Sequence, residues 1–182
     1  MKIEVEARLL EVDVKKFLKV LRENNAEFVG DWLQMRYCYD FTPVNENSWI
    51  RLRTNGKETT LTIKDVSSDK IDGTKELEII VSDFAETDAI LNKMGYIARS
   101  KQENRRIRYM LDGVEIDIDF WPMIPAYVEF EAKNEEDIVK VCKKLNIDFN
   151  ELVTIGNEKI YKQYGITLKD YPIIELEEFR KM

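Results

Sequence analysis

The sequence predicts an α+β fold: a large antiparallel sheet of roughly eight strands, closed into a barrel or nearly so, with helices packed outside it. Three observations carry that prediction. Short runs with a two-residue apolar rhythm recur along the chain. The connections between them are too short for most parallel crossovers, and two are tight turns, Asn55-Gly56 and Asp112-Gly113. Three amphipathic helical patterns are set among the strands. A chain of 182 residues, 44% hydrophobic and 35% charged, suits one globular domain over 1–182 rather than a disordered chain.

The first strand is expected over 2–10, where Glu4, Glu6 and Arg8 alternate with Ile3, Val5, Ala7 and Leu9. A helix follows Asp13, an N-cap type, with Val14, Phe17, Leu18 and Leu21 on one face. Two β runs, 27–33 and 35–40, lead to a turn at 42–48. Strands at 49–54 and 58–66 flank Asn55-Gly56, and after a turn at 67–73 comes a strand at 74–81. The second helix starts at Asp83 with Glu86 three residues on, draws its buried residues from Ala89, Ile90, Leu91 and Met94, and stops at Gly95. Strands at 104–111 and 114–121 flank Asp112-Gly113, and a last strand is expected at 126–132. The third helix, 135–145, is capped by Asn134 and turns Ile138, Val141, Cys142 and Leu145 inward. A short helix is expected near 157–164, and the tail 175–182 reads as a solvated helix or strand end. Trp32, Trp49 and Trp121 read as core or rim packing, and Tyr161 and Tyr164 as packing of the terminal helix.

Composition removes several chemistries. The chain has no histidine, so Ser-His-Asp and Cys-His catalysis and His-ligated zinc are excluded. Twenty-eight basic against 35 acidic residues leave a net charge of −7, which argues against nucleic acid or an anionic membrane as partner. Cys38 and Cys142 lack CxxC spacing and read as two free thiols, buried or half-buried. No apolar run is long enough to span a membrane and Met1 opens no signal peptide, so a cytoplasmic protein is expected.

The informative feature is what alternates with the apolar residues. Glu4/Glu6/Arg8, Arg51/Arg53, Thr62/Lys64, Glu76/Glu78, Arg106/Arg108, Glu115/Asp117/Asp119 and Glu129/Glu131 each sit at i, i+2 and share a face. Like charges on one strand face repel, so each set needs opposite charges nearby. For any one set, a solvated outer face with cross-strand pairs is the simplest account. Recurrence on nearly every strand favours the other: the faces turn into a shared polar interior. Carboxylates beside Arg and Lys fit a metal–polyphosphate ligand, since hard cations take oxygen donors and guanidinium forks take phosphate.

The ordered motifs resemble the CYTH superfamily, the triphosphate tunnel metalloenzymes, which include class IV adenylyl cyclases, thiamine triphosphatases and bacterial inorganic triphosphatases. The hallmark ExExK strand reads Glu4-Val5-Glu6-Ala7-Arg8, with Arg in the last place. RLR at 51–53, TIK ending at Lys64, KELE with Glu76 and Glu78, MGY at 94–96 and NRRIRY at 104–109 follow in order. Asp117 and Asp119, EFE at 129–131 and NEKIYKQYG at 157–165 complete the set. Asn104 stands where relatives often carry Lys, and Trp121–Pro125 replaces a Gly-rich turn.

The resemblance implies an eight-stranded antiparallel β-tunnel, Mg²⁺ or Mn²⁺, a triphosphate-bearing small molecule and a possible homodimer. By position it implies Glu4, Glu6, Asp117, Asp119, Glu129 and Glu131 as metal ligands, with Asp117 and Asp119 alternatively holding arginines. Arg8, Arg51, Arg53, Lys64, Arg106 and Arg108 would bind phosphate, with Glu76 and Glu78 as supporting acids. Glu4, Glu6, Glu129 and Asp119 would be the catalytic group. Three activities fit: hydrolysis of a triphosphate, cyclisation of ATP to cyclic AMP, and polyphosphate binding without turnover. No purine pocket is legible in the pattern.

Overall fold

Alternation builds a two-faced wall. The structure, a computed structural model, describes residues 1–176. Most of the tail 175–182, expected as a solvated end, lies outside the described residues. The wall strands are β1 (Lys2–Leu9), β2 (Glu27–Asp40), β3 (Ser48–Thr54), β4 (Thr59–Val66), β5 (Thr74–Val81), β6 (Ala98–Leu111), β7 (Val114–Phe120) and β8 (Tyr127–Ala132). They neighbour one another in the order β2-β3-β4-β5-β1-β8-β7-β6, and β2 pairs with β6 to close the barrel. All eight wall pairings are antiparallel. Closure leaves no long edge to protect. The hairpin between β6 and β7 turns on Asp112 at φ 51° and Gly113 at φ 83°. Positive φ at both central positions gives a turn whose twist matches the flanking strands.

Among the described residues, four α-helices lie outside: α1 (Val14–Glu23), α2 (Phe84–Lys93), α3 (Glu135–Lys144) and α4 (Asn157–Gln163). Asp13, Asp83 and Asn134 each accept a backbone N–H at N3, as expected. Such caps contribute about 1 kcal/mol each. Phe17 and Leu21 of α1 and Ile138, Val141 and Cys142 of α3 pack on the outward residues Val5, Ile116, Ile118, Val128 and Phe130. Leu91 of α2 packs on Tyr39, Ile50 and Leu52. Trp121, Tyr127, Ile160 and Tyr161 form a third cluster that joins α4 to the end of the barrel where β7 stops and β8 starts. Cys38 and Cys142 are free and buried.

Three details correct the sequence reading. The runs 27–33 and 35–40 are one 14-residue strand, because β6 is equally long and pairs along nearly all of it. Register irregularities at Phe28/Gly30 and Cys38/Tyr39 absorb the mismatch, and Gln34, the apparent break, turns inward. β6 accordingly starts at Ala98 rather than 104. In α2 only Leu91 is buried, whereas Ala89, Ile90 and Met94 are exposed. The inner stripe is Phe84, Asp88 and Leu91, and Tyr39 donates a 2.8 Å hydrogen bond to Asp88. A two-residue strand β9 (Ile173–Ile174), which no pattern announced, adds in parallel to β6.

Candidate functional site

The polar set of every wall strand faces the barrel interior. Register places opposite charges side by side: Arg8 beside Glu129, Arg106 beside Asp119, Arg108 beside Asp117, and Lys64 beside Glu76. Glu4, Arg8, Arg51, Arg106, Asp117, Asp119 and Glu129 are all buried, so a solvated outer face does not describe them. Glu6, Arg53, Lys64, Glu76, Arg108, Glu115 and Glu131 are half-buried, and Glu78 is exposed.

One sector is tightly paired. The Arg106 guanidinium forks onto Asp119 at 2.8 and 2.6 Å and also reaches Asp117 at 2.6 Å and Glu129 at 3.1 Å. Arg108 forks onto Asp117 at 2.7 Å through each nitrogen and meets Glu115 at 2.7 Å. Arg8 meets Glu129 at 2.6 Å and Glu6 at 2.9 Å, and its other Nη donates to the Ile155 carbonyl at 3.0 Å. Burial alone would lower Arg8 and Arg106, but these carboxylates outweigh it and raise both above the ordinary value. Burial would likewise raise Glu129, yet Arg8, Arg106 and Lys64 hold it well below the usual carboxylate range. Asp117 and Asp119 thus hold the arginines in place.

The opposite sector is loose and rich in positive charge. Lys64 meets Glu4 at 3.0 Å and also bonds Glu76. Arg51 reaches Glu76 and Glu78 only at 3.4 Å, and Arg53 reaches Glu78 at 3.8 Å. Repulsion from Arg51, then burial, then Arg106 and Arg36 lower Arg53 well below its usual value. Burial and Arg51 likewise lower Lys64.

Arg36 belongs to this cluster and sequence reasoning missed it. Its side chain is buried and, among the described residues, pairs with no carboxylate. It donates to Asn104 Oδ1 at 3.0 Å, lies 4.5 Å from the Trp121 ring centre, and leaves its Nε unpartnered. Burial and then Arg51 and Arg106 bring it down to about 10. Asn104, fully buried, passes the contact on by donating to Asp119 at 3.3 Å. The signal was present: Trp32, Gln34, Arg36 and Cys38 alternate like the other inward sets, but dividing β2 at Gln34 hid it.

Facing these cations is an acidic wall. Glu115 stands directly across from Glu131, which stands across from Glu6. Burial, then Asp117 and Glu131, push Glu115 up to about 7 against the pull of Arg108. Burial, then Glu4 and Glu129, also raise Glu131 despite Lys2. Among the described residues no group of three or more carboxylates or thiols is arranged to hold a metal ion, because most are turned onto Arg or Lys. The donor set nonetheless fits a hard cation: it is all carboxylate, and burial together with neighbouring acids raises both Glu115 and Glu131, a cost that a bound cation would relieve.

The barrel is covered at one end. There the C-terminal segment bonds Arg8 through Val153 in both directions, Tyr127 donates to Asn157, and Tyr161 donates to the Pro122 carbonyl. The other end opens between Trp32, Gln34, Arg53, Asn55, Glu58, Thr60 and Arg108. A separate hollow on the outer face, beside Ile3, Val5, Ile71 and Lys133, touches none of the inward charges. No helix among the described residues is long and apolar enough to cross a membrane.

The family model described as CYTH domain matches residues 2–162. No curated protein matches. Among solved structures, a conserved hypothetical protein from Pyrococcus furiosus is 22% identical with a TM-score of 0.72, covering 85% of this chain and 97% of that one. A candidate adenylate cyclase from Vibrio parahaemolyticus is 14% identical with a TM-score of 0.74, covering 88% and 98%. A candidate adenylyl cyclase from Hippeastrum, described as revealing a dominant triphosphatase activity, is 16% identical with a TM-score of 0.58, covering 92% and 97%. At these identities the three structures establish a shared fold.

Proposed function

The chain belongs to the CYTH domain family, and on that premise we propose that it is a divalent-metal-dependent hydrolase of a triphosphate held inside the barrel. The observation that carries this reading is the surplus of positive charge at buried Arg36 and Arg51 and half-buried Arg53, facing the acidic wall. Three cations gathered without enough carboxylates, of which Arg51 lowers both Arg36 and Arg53, are pre-arranged for a polyanion that relieves the repulsion on arrival.

In this reading Arg51, Arg53, Arg36 and Lys64 hold the phosphate oxygens, and Arg8, Arg106 and Arg108 complete the ring of donors. Asp117, Asp119 and Glu129 keep Arg106 and Arg8 extended toward the substrate, so little ordering remains for the moment of reaction. Glu4, Glu6 and Glu131, with Glu129 beside them, would hold Mg²⁺ or Mn²⁺. When bound, the cation supplies neutralisation of the phosphate chain and polarisation of water. A carboxylate of the acidic wall orients the attacking water. Its oxygen bonds the terminal phosphorus as the bridging P–O bond breaks, and the proton passes to solvent.

A second reading keeps the site and changes the nucleophile: the 3′-hydroxyl of ATP attacks the α-phosphorus and diphosphate leaves. The shared fold with the Vibrio candidate cyclase supports including it. The test is incubation with ATP, inorganic triphosphate and thiamine triphosphate, with Mg²⁺, Mn²⁺ or EDTA, followed by product identification. Phosphate plus the matching diphosphate (ADP, inorganic diphosphate or thiamine diphosphate), lost in EDTA, is the expected result for hydrolysis. Cyclic AMP plus diphosphate replaces it with the cyclase, and binding without products leaves a polyphosphate-binding module.

A further inference from the structure

The outer wall is bare on one side. Elsewhere helices cover it: α1 and α3 pack over β1, β7 and β8, and α2 packs over β2 and β3. Between them β5 turns Leu77 and Ile79 outward, 52% and 55% exposed, with Ile63 and Leu61 directly across on β4. Ile3 of β1, also exposed, extends this apolar strip to a hollow of about 590 Å³ beside Val5, Ile71 and Lys133. A contiguous apolar strip on an otherwise covered wall marks a contact surface. At one end of the strip Asp65 stands directly across from Lys75, yet among the described residues neither forms an ion pair. Two more apolar side chains stand exposed on the neighbouring helix, Ile90 of α2 and Met94 at its C-cap.

We propose that a second copy of this chain covers the bare face, related to the first by a two-fold axis that runs along the wall between β4 and β5. Strands keep their direction under that rotation. Each β4 therefore lies over the partner's β5, with cross-strand neighbours at the same height. Asp65 then faces the partner's Lys75, Ile63 the partner's Leu77, and Leu61 the partner's Ile79. Every contact is made twice, as an isologous interface requires. Two sheets packed in this way stand about 10 Å apart, a gap that interdigitated Leu and Ile side chains fill. The strand order β3-β4-β5-β1 makes the same rotation lay β3 over the partner's β1. Convex walls diverge on either side of their line of contact, and α2, riding on β3, fills that wedge. Ile90 and Met94 come down toward the partner's Ile3 and the hollow beside it. Charge decides for a second copy over a foreign partner. Asp65 and Lys75 sit side by side with opposite sign, so the rotation that stacks the strips also gives each charge its complement. A net charge of −7 keeps two copies apart on average, and this is a face where the flanking charges cancel. The surface lies outside the barrel and does not depend on what the barrel binds.

The test is sedimentation of the full chain over a range of concentrations. The wild type is expected at twice the chain mass and Leu77→Asp at the chain mass, with the same circular dichroism for both. Lys75→Glu alone and Asp65→Lys alone are each expected to weaken self-association about tenfold or more, because like charges then face each other across the interface. Mixed in equal amounts, those two variants are expected to form a one-to-one complex, since every facing pair is opposite in sign again. A mixture that stays monomeric, or a Leu77→Asp protein that stays dimeric, overturns the surface. Should the variants not fold, the wild type answers alone: its self-association is expected to weaken as salt rises, and a monomer at every concentration overturns the proposal. A chain that is monomeric by itself and binds only a different protein through Leu77 overturns the second copy as the occupant.

Discussion

Arg36 shows how function and stability oppose each other at one residue. A buried guanidinium without a carboxylate partner weakens the empty protein, while a polyanion turns the same charge into affinity. Arg36→Met is expected to raise the melting temperature of the ligand-free protein and to weaken triphosphate binding about tenfold or more; calorimetry and thermal denaturation on the same sample check both. Glu4→Gln and Glu6→Gln are expected to abolish metal-dependent turnover while circular dichroism stays that of the wild type, and retained activity would remove them as cation ligands. Glu115 gives a pH signature. Folding raises it from 4.5 to about 7, so the folded state binds the proton more tightly than the unfolded chain. Its contribution to stability is therefore best at low pH and falls as pH rises from 4.5 to 7. In EDTA, Glu115→Gln is expected to gain a few degrees over wild type at pH 8 and nothing at pH 4. Glu6 and Glu129 were legible as inward residues from alternation alone, but their partners were not, because a strand pattern gives the face and not the neighbour across it.

At the scale of elements, caps and hairpins were legible because they rest on chemistry within a few residues. Asp13, Asp83, Asn134 and the Asp112-Gly113 turn form as read. What depends on distant pairing was not legible. The unity of β2 follows from the length of β6, some 70 residues later, and the inward turn of half-buried Phe84 and buried Leu91 from where α2 lands on β3. For Trp32, read as core or rim packing, distant pairing decides for the rim. The C-terminal segment tests whether packing there is structural. Tyr161 is fully buried, stacks edge-on against Trp121 and donates to the Pro122 carbonyl at 2.8 Å. Tyr161→Ala is expected to destabilise the protein by about 3–5 kcal/mol, as for other large aromatic truncations, measured by urea unfolding. Trp121 carries Arg36 on its face, so the same variant should also weaken triphosphate binding.

For the whole molecule, the net charge of −7 first argued only against polyanionic partners. The barrel separates the average from the local field: acids and bases face each other inside a closed wall, and the loose cationic sector sets the potential where a ligand sits. Metal and triphosphate together are expected to stabilise the fold by about 2.7 kcal/mol at a hundred times Kd, and EDTA to remove most of that gain in a thermal shift assay. The covered end has a further consequence for traffic. A blind vessel empties by the way it was filled. Under the proposed hydrolysis, diphosphate left at the bottom would block the next arrival and could not be pushed out from behind by fresh substrate, so the two would exclude each other through a single door. Likewise, a polyphosphate much longer than three units has no exit for its far end, and the floor made by Trp121 and Tyr161 becomes a ruler for chain length.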